Sequence, residues 1–186
     1  GPPRRPERRR KRARKLGVRE SRMSFAAPEL LGGVNGSGPV VKGERFEVYR
    51  VRWPVLADPA LPKLPSITGE GLLLTPTGNQ PPVADVIVIP DADQTPESLV
   101  EFSGDKTNAP FAVRLAQQGC RVQVPMLISR EMQQRGGARL THREYLYRPG
   151  FELGHSLVGY EVQKILAGVD WFEKSQGEKK RKIGVA

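Results

Sequence analysis

From position 44 onward, short apolar runs alternate with Pro- and Gly-rich breaks, and the character of the runs changes midway along the chain. Residues 46–53 are rich in β-branched and aromatic side chains and predict a strand closed by Pro54. The Pro-rich stretch 54–65 reads as a loop, and residues 67–75 predict a second strand stopped by Pro76. These two suit an antiparallel pair at the edge of a sheet. Val86, Ile87, Val88 and Ile89 then form a continuous β-branched run, the pattern of a strand covered on both faces in a parallel sheet. A polar turn at 90–94 follows. Next comes a short helix, with Asn108 as cap, Pro110 in the first turn, Phe111 and Leu115 on one face, and Gly119 as terminator. Residues 120–124 predict the next strand, closed by Pro125. Together these pieces make a βαβ unit, whose strands pair in parallel.

Residues 126–147 are polar and read as irregular. Pro149 then opens a predicted helix reaching about residue 173, with an apolar stripe of Val158, Val162, Ile165, Leu166, Val169 and Phe172. About 25 helical residues would extend about 37 Å. A polar turn leads to a last apolar run at 182–186 that predicts a strand. The fold class is α/β: antiparallel edge strands followed by parallel βαβαβ. The run at 182–186 has no further element after it, so the sequence reads as cut in the middle of such a fold, at a strand's carboxyl end. That is where open α/β sheets place their chemistry.

Charge divides the chain rather than describing it. The net charge is +10, but residues 1–22 hold eleven Lys or Arg against Glu7 and Glu20, which leaves +1 for the rest. Residues 1–43 therefore read as a basic and Gly/Pro-rich tail and linker, and 44–186 as the folded part. A solvated arm and a polyanion-binding arm are both compatible with the tail. Between Gly1 and Ser24 there is no Phe, Tyr or Trp to interleave the basic residues. Cys120 is the only cysteine, so no internal disulfide and no Cys-based metal site is expected. No stretch approaches the roughly 20 apolar residues of a membrane span, and nothing in the residues fixes a compartment.

Candidate chemistry is sparse. His142 and His155 are the only histidines and lie too far apart for a short metal-ligand motif. His155 falls inside the predicted long helix and reads as a surface or packing residue. His142 and Arg143 fall in the polar stretch after a strand's carboxyl end, where substrate clefts form. Arg143 suits a bidentate clamp on a substrate carboxylate, or a salt bridge to Glu144 or another nearby carboxylate. Asp91 and Asp93 form a carboxylate pair without a third metal ligand in register. Tyr145, Tyr147, Phe151 and Tyr160 are expected to pack in a core. Gly154, Gly159 and Gly168 suggest close approach of helix to sheet. No G-x-G-x-x-G follows the run at 86–89, and no cofactor is expected.

Two segments carry a family resemblance. ITGEGLLLTP at 67–76 resembles the second strand of acetyl xylan esterase and dienelactone hydrolase relatives. HREYLYRPGFELGHSLVGYEVQKILAGVDWF at 142–172 resembles the helix that precedes the nucleophile strand in a bacterial subgroup of that family. With the element order, residues 46–186 resemble the first half of the α/β-hydrolase fold. The resemblance implies that the strand at 183–186 runs into a nucleophile elbow, usually G-x-S-x-G. No such motif occurs in the chain, and the family's acid and histidine follow the nucleophile in chain order. The expectation is an amino-terminal portion of a carboxylic-ester hydrolase, inactive alone and without a metal, whose parent acts on an ester, a carbohydrate ester being one alternative. The resemblance also makes the loop after the third strand an oxyanion-hole contributor, with Ala92, Asp93 and Gln94 as candidates. A local Asx-turn is the alternative there. Set against the esterase is a non-enzymatic α/β binding module with a basic nucleic-acid- or acidic-surface-binding arm.

Overall fold

The computed structural model of the chain describes residues 28–32, 38–56, 67–91, 93–101, 109–177 and 180–186. The basic segment 1–22 and the proposed cap Asn108 lie outside them. The main sheet has seven strands: β1 (Glu29–Leu31), β2 (Val41–Lys42), β3 (Phe46–Leu56), β4 (Ile67–Pro76), β5 (Ala84–Ile87), β6 (Arg121–Pro125) and β9 (Lys182–Val185). Their order is β1-β3-β4-β6-β5-β9, with β2 also on β3. A separate hairpin is formed by β7 (Met132–Arg135) and β8 (Ala138–Thr141). The helices are α1 (Phe111–Gln117), α2 (His142–Glu152) and α3 (Leu157–Ser175).

β3 and β4 pair antiparallel, as their sequence predicts, and β5 pairs in parallel with both β6 and β9. The α/β class therefore holds, with the parallel part at 84–186. β3 runs past its expected stop, however. β1 pairs only as far as Arg52, so the missing N–H of Pro54 breaks no ladder on that side, and the register with β4 shifts between Pro54 and Leu56. The segment read as a linker also contributes β1 and β2, short strands that pair along one edge of β3.

Alternation along the strands builds two cores. Leu72 and Leu74 of β4, Val122 and Val124 of β6, and Val88 face α1. Leu73 and Ile87 face the other way, with Val51, Trp53 and Phe172 under α3. A strand buried on both faces needs no polar alternation, which is why the run at 86–89 is apolar throughout. In α1 the buried residues are Ala112, Val113 and Ala116, while Phe111 is exposed. The expected Phe111–Leu115 face is thus displaced: small side chains let this short helix sit close to the sheet.

The expected single long helix is two. Thr141 and Glu144 form a capping box that starts α2 seven residues before Pro149. Proline sits inside that helix rather than opening it. Gly154, at φ +76°, and the cap Ser156 then end one helix and begin the next. His155 consequently lies in the break, its ring 5.4 Å from that of Tyr160. Residues 126–147, read as irregular, hold the β7–β8 hairpin and the first turns of α2. The buried residues of α3 include Leu157, Glu161, Gln163, Gly168 and Phe172, whereas Val158 is exposed. The expected stripe is rotated because polar residues occupy part of the buried face. Gly168 does approach the sheet: a Cβ there would stand 2.4 Å from Gln123 Oε1. Gly154 has nothing within 4 Å and serves the turn instead.

Candidate functional site

The winding of the sheet changes direction at β5. The chain leaves β5 through α1 to β6 on one side, and returns from β6 through α2 and α3 to β9 on the other. Crossovers that diverge in this way open a crevice outside the carboxyl ends of the strands, the usual ligand position in open α/β sheets. A cleft of about 710 Å³ lies there. One wall comes from residues after β5, from Pro90 to Glu97; the other comes from residues 126–131, after β6, with Arg143 and Glu161 behind them. The end of β9 reaches the same place. Ala186 N–H donates to Ile87 O at 2.9 Å, and Ile89 N–H donates to Ala186 O at 2.8 Å.

The first wall is held by local bonds. Asp91 N–H donates to Gln94 Oε1 at 2.9 Å, and Gln94 N–H donates to Asp91 O at 3.1 Å. Thr95 Oγ1 accepts from Ser98 N–H at 3.3 Å and leads into the 3-10 turn Glu97–Leu99, anchored by buried Leu99. Of the oxyanion-loop candidates, Gln94 thus has its N–H engaged inside the turn. Asp93 is exposed and lines the cleft, and Ala92 lies outside the described residues.

The second wall is held from a distance. Met126 N–H donates to Glu70 O at 2.8 Å, Lys164 Nζ donates to Met126 O at 2.6 Å, and Ile128 N–H donates to Glu161 Oε1 at 3.3 Å. Arg143 grips Glu161 with both arms of its guanidinium, at 2.5 and 3.1 Å. That hydrogen bonding raises the Arg143 pKa, against a smaller opposing effect of burial. Burial lowers the Lys164 pKa, partly offset by the charges of Glu161 and Glu70.

Arg143 therefore lines the cleft with its fork occupied by Glu161, the salt-bridge alternative, while Glu144 is committed to the α2 cap. His142 is the first residue of α2 and not part of the cleft lining; its Nδ1 lies 2.8 Å from an Arg135 Nη. The aromatic residues do not form the expected core. Tyr145, Tyr147 and Phe151 are exposed on α2, which projects from the sheet, and Tyr147 stacks on Phe151 at 6.1 Å. Sequence reasoning passed over Glu161 and Lys164 altogether. Their one signal was position: with Leu157, Gly168 and Phe172 they repeat at helical spacing on the side of α3 that meets the sheet. Among the described residues no group of three or more His, Cys, Asp or Glu could hold a metal ion, and no helix is long and apolar enough to cross a membrane.

No protein-family model matches the sequence, and a search of curated proteins finds no significant match. Solved structures do resemble it. A Bacteroides fragilis protein described as an acetyl xylan esterase superposes with a TM-score of 0.62 at 17% identity, over 96% of this chain and 46% of its own. A glucuronoyl esterase from Solibacter usitatus superposes with a TM-score of 0.50 at 12% identity, over 95% of this chain and 50% of its own. The chain spans about half the length of either. At such identities the likeness concerns the fold, and the fold is a mixed sheet of the kind found in α/β-hydrolase esterases.

Proposed function

We propose that this chain is the amino-terminal part of a carboxylic-ester hydrolase whose nucleophile, acid and histidine come from residues following Ala186 in the parent protein. The observation that carries this reading is the end of β9. It pairs with β5, the strand at which the winding reverses, and brings Ala186 beside the start of the first wall of the cleft. A strained strand-to-helix turn at that point would project a nucleophile over the cleft. Attack on the ester carbonyl expels the protonated alcohol and leaves an acyl-enzyme, which water then hydrolyses to the carboxylic acid and the free nucleophile. The negative charge developing on the carbonyl oxygen needs preorganised donors, each contributing about 3 kcal/mol. In this reading the loop after β5 supplies one such donor, and Gln94 is the weaker candidate because its N–H is already used within the turn. The names of the two structural neighbours favour a carbohydrate-linked ester as the parent's substrate.

The chain alone holds no nucleophile elbow and should neither hydrolyse p-nitrophenyl acetate nor react with a fluorophosphonate. The parent should do both, and its reading frame should show a Gly-x-nucleophile-x-Gly turn within a few residues of Ala186. A stop codon or a polar tail at that point, or hydrolysis by residues 1–186 alone, would overturn the proposal.

A further inference from the structure

We infer that Glu161 is a positioning residue which, with Arg143 and Lys164, fixes the backbone of residues 126–128 as a rigid wall of the cleft. The inference rests on the esterase reading for its functional meaning, but not for its physical content. A segment that follows a strand usually keeps its shape through turns within itself. Here the two polar backbone groups facing α3 are instead satisfied by side chains one helical turn apart on that helix: the Met126 carbonyl by Lys164 and the Ile128 N–H by Glu161. Met126 N–H is already tied to β4 through Glu70 O. Three backbone groups of residues 126–128 are thus pinned to two separate elements before the chain reaches the hairpin.

The charge arrangement explains why acidic and basic residues stand on the sheet side of α3. Glu161 is buried at 9% exposure, and a buried carboxylate is stable only when paired and hydrogen-bonded. Arg143 supplies both needs from α2, at fixed bidentate geometry. A lysine at 143 would offer a point charge without the fork. Glu161 therefore orients the wall, Arg143 keeps Glu161 aimed, and Lys164 holds the preceding carbonyl. Arg143 acts through Glu161 rather than on a ligand.

Amide hydrogen exchange on the chain tests this directly. Glu161→Gln keeps the shape and removes the charge, so exchange at Ile128 should accelerate about tenfold or more. Amides of β6, such as Val122 and Val124, should keep their wild-type protection. Lys164→Met should loosen the same wall without touching the ion pair. It serves as the second test where Glu161→Gln folds poorly. Arg143→Met added to Glu161→Gln should have little further effect on Ile128 exchange, because the pair acts as one unit. A uniform loss of protection across β5 and β6, or an unchanged Ile128, would reduce the pair to a general fold stabiliser and overturn the inference. In the parent enzyme, Glu161→Gln should raise KM for the ester more than it lowers kcat. A locally loosened wall in a parent that hydrolyses no ester would sink the esterase reading and leave the wall intact; an active parent with an unchanged wall would do the reverse.

Discussion

The two ends of the parallel strands treat charge in opposite ways. At the amino end, Asp85 is fully buried and fully matched. It accepts from Arg121 Nε at 2.7 Å, from Gln176 Nε2 at 2.8 Å and from Arg181 Nε at 3.3 Å. Arg121 is further held over the rings of Trp171 and Phe172, at 4.9 and 4.8 Å. Gln176 Oε1 accepts from Arg181 N–H at 2.9 Å, so the approach to β9 is fastened to the same carboxylate. At the carboxyl end, Asp93 and Glu97 line an open cleft and have no ion-pair partner among the described residues. The amino end uses its charges to hold strands together; the carboxyl end buries Glu161 against Arg143 behind its wall but leaves Asp93 and Glu97 facing solvent, where a ligand can reach them. Saturated buried charge marks scaffold; exposed charge around a winding reversal marks a site.

The comparison is easiest to break at the amino end. Asp85→Ala strands two partly buried guanidiniums and should cost about 3–5 kcal/mol in urea unfolding. Asp85→Asn, which keeps hydrogen bonding, should cost less. A loss below 1 kcal/mol for Asp85→Ala would show that this network is no scaffold. Gly71→Ala probes the sheet between the two ends. Its Cβ would stand 2.2 Å from the Val124 carbonyl oxygen, a backbone atom that cannot swing aside. The expected cost is about 3 kcal/mol, read as a lowered melting temperature. Thr141→Ala removes the α2 cap beside the cleft and should cost about 1 kcal/mol by the same measurement.

Smaller effects belong to the carboxyl end. Hydrogen bonds from the Thr141 backbone and side chain hold the Glu144 pKa below its ordinary value of 4.5. A depressed carboxylate contributes stability that is complete above the ordinary value and lost as pH falls below 4.5 through the lowered one. The melting-temperature gap between wild type and Glu144→Gln should therefore shrink on acidification through that window, and a gap that widens would reverse the sign. Asp93→Asn and Glu97→Gln should change stability by less than about 0.5 kcal/mol. A large loss from either would mean that the cleft carboxylates are structural after all.

Local pattern was enough for some elements and not for others. The strands at 46–53, 67–75 and 120–124 were legible because apolar β-branched runs bounded by proline, glycine and polar turns have few other uses; the run at 86–89 marked a strand that begins two residues earlier, at Ala84, and ends at Ile87. The parallel pairing followed from them, whereas the order of the strands and the winding reversal at β5 came from the tertiary structure. The helix boundaries were not legible as read. Pro149 looks like a helix start in one dimension, but the Thr141–Glu144 capping box nucleates α2 earlier and proline is carried inside it. The role of Arg143 was equally hidden, since its partner lies 18 residues away on another helix.

What the sequence by itself determined is the α/β class, the antiparallel pairing of β3 with β4, the parallel βαβ core and the absence of a nucleophile elbow from residues 1–186. These depend on periodicity and on short spacings, which a linear chain displays directly. Only the tertiary structure decided which charges are buried, which face of α3 meets the sheet, and what holds the cleft wall. Those depend on the partner each side chain meets across the fold: Asp85 and Asp93 look alike in the sequence, and only their neighbours make one a keystone and the other a lining residue.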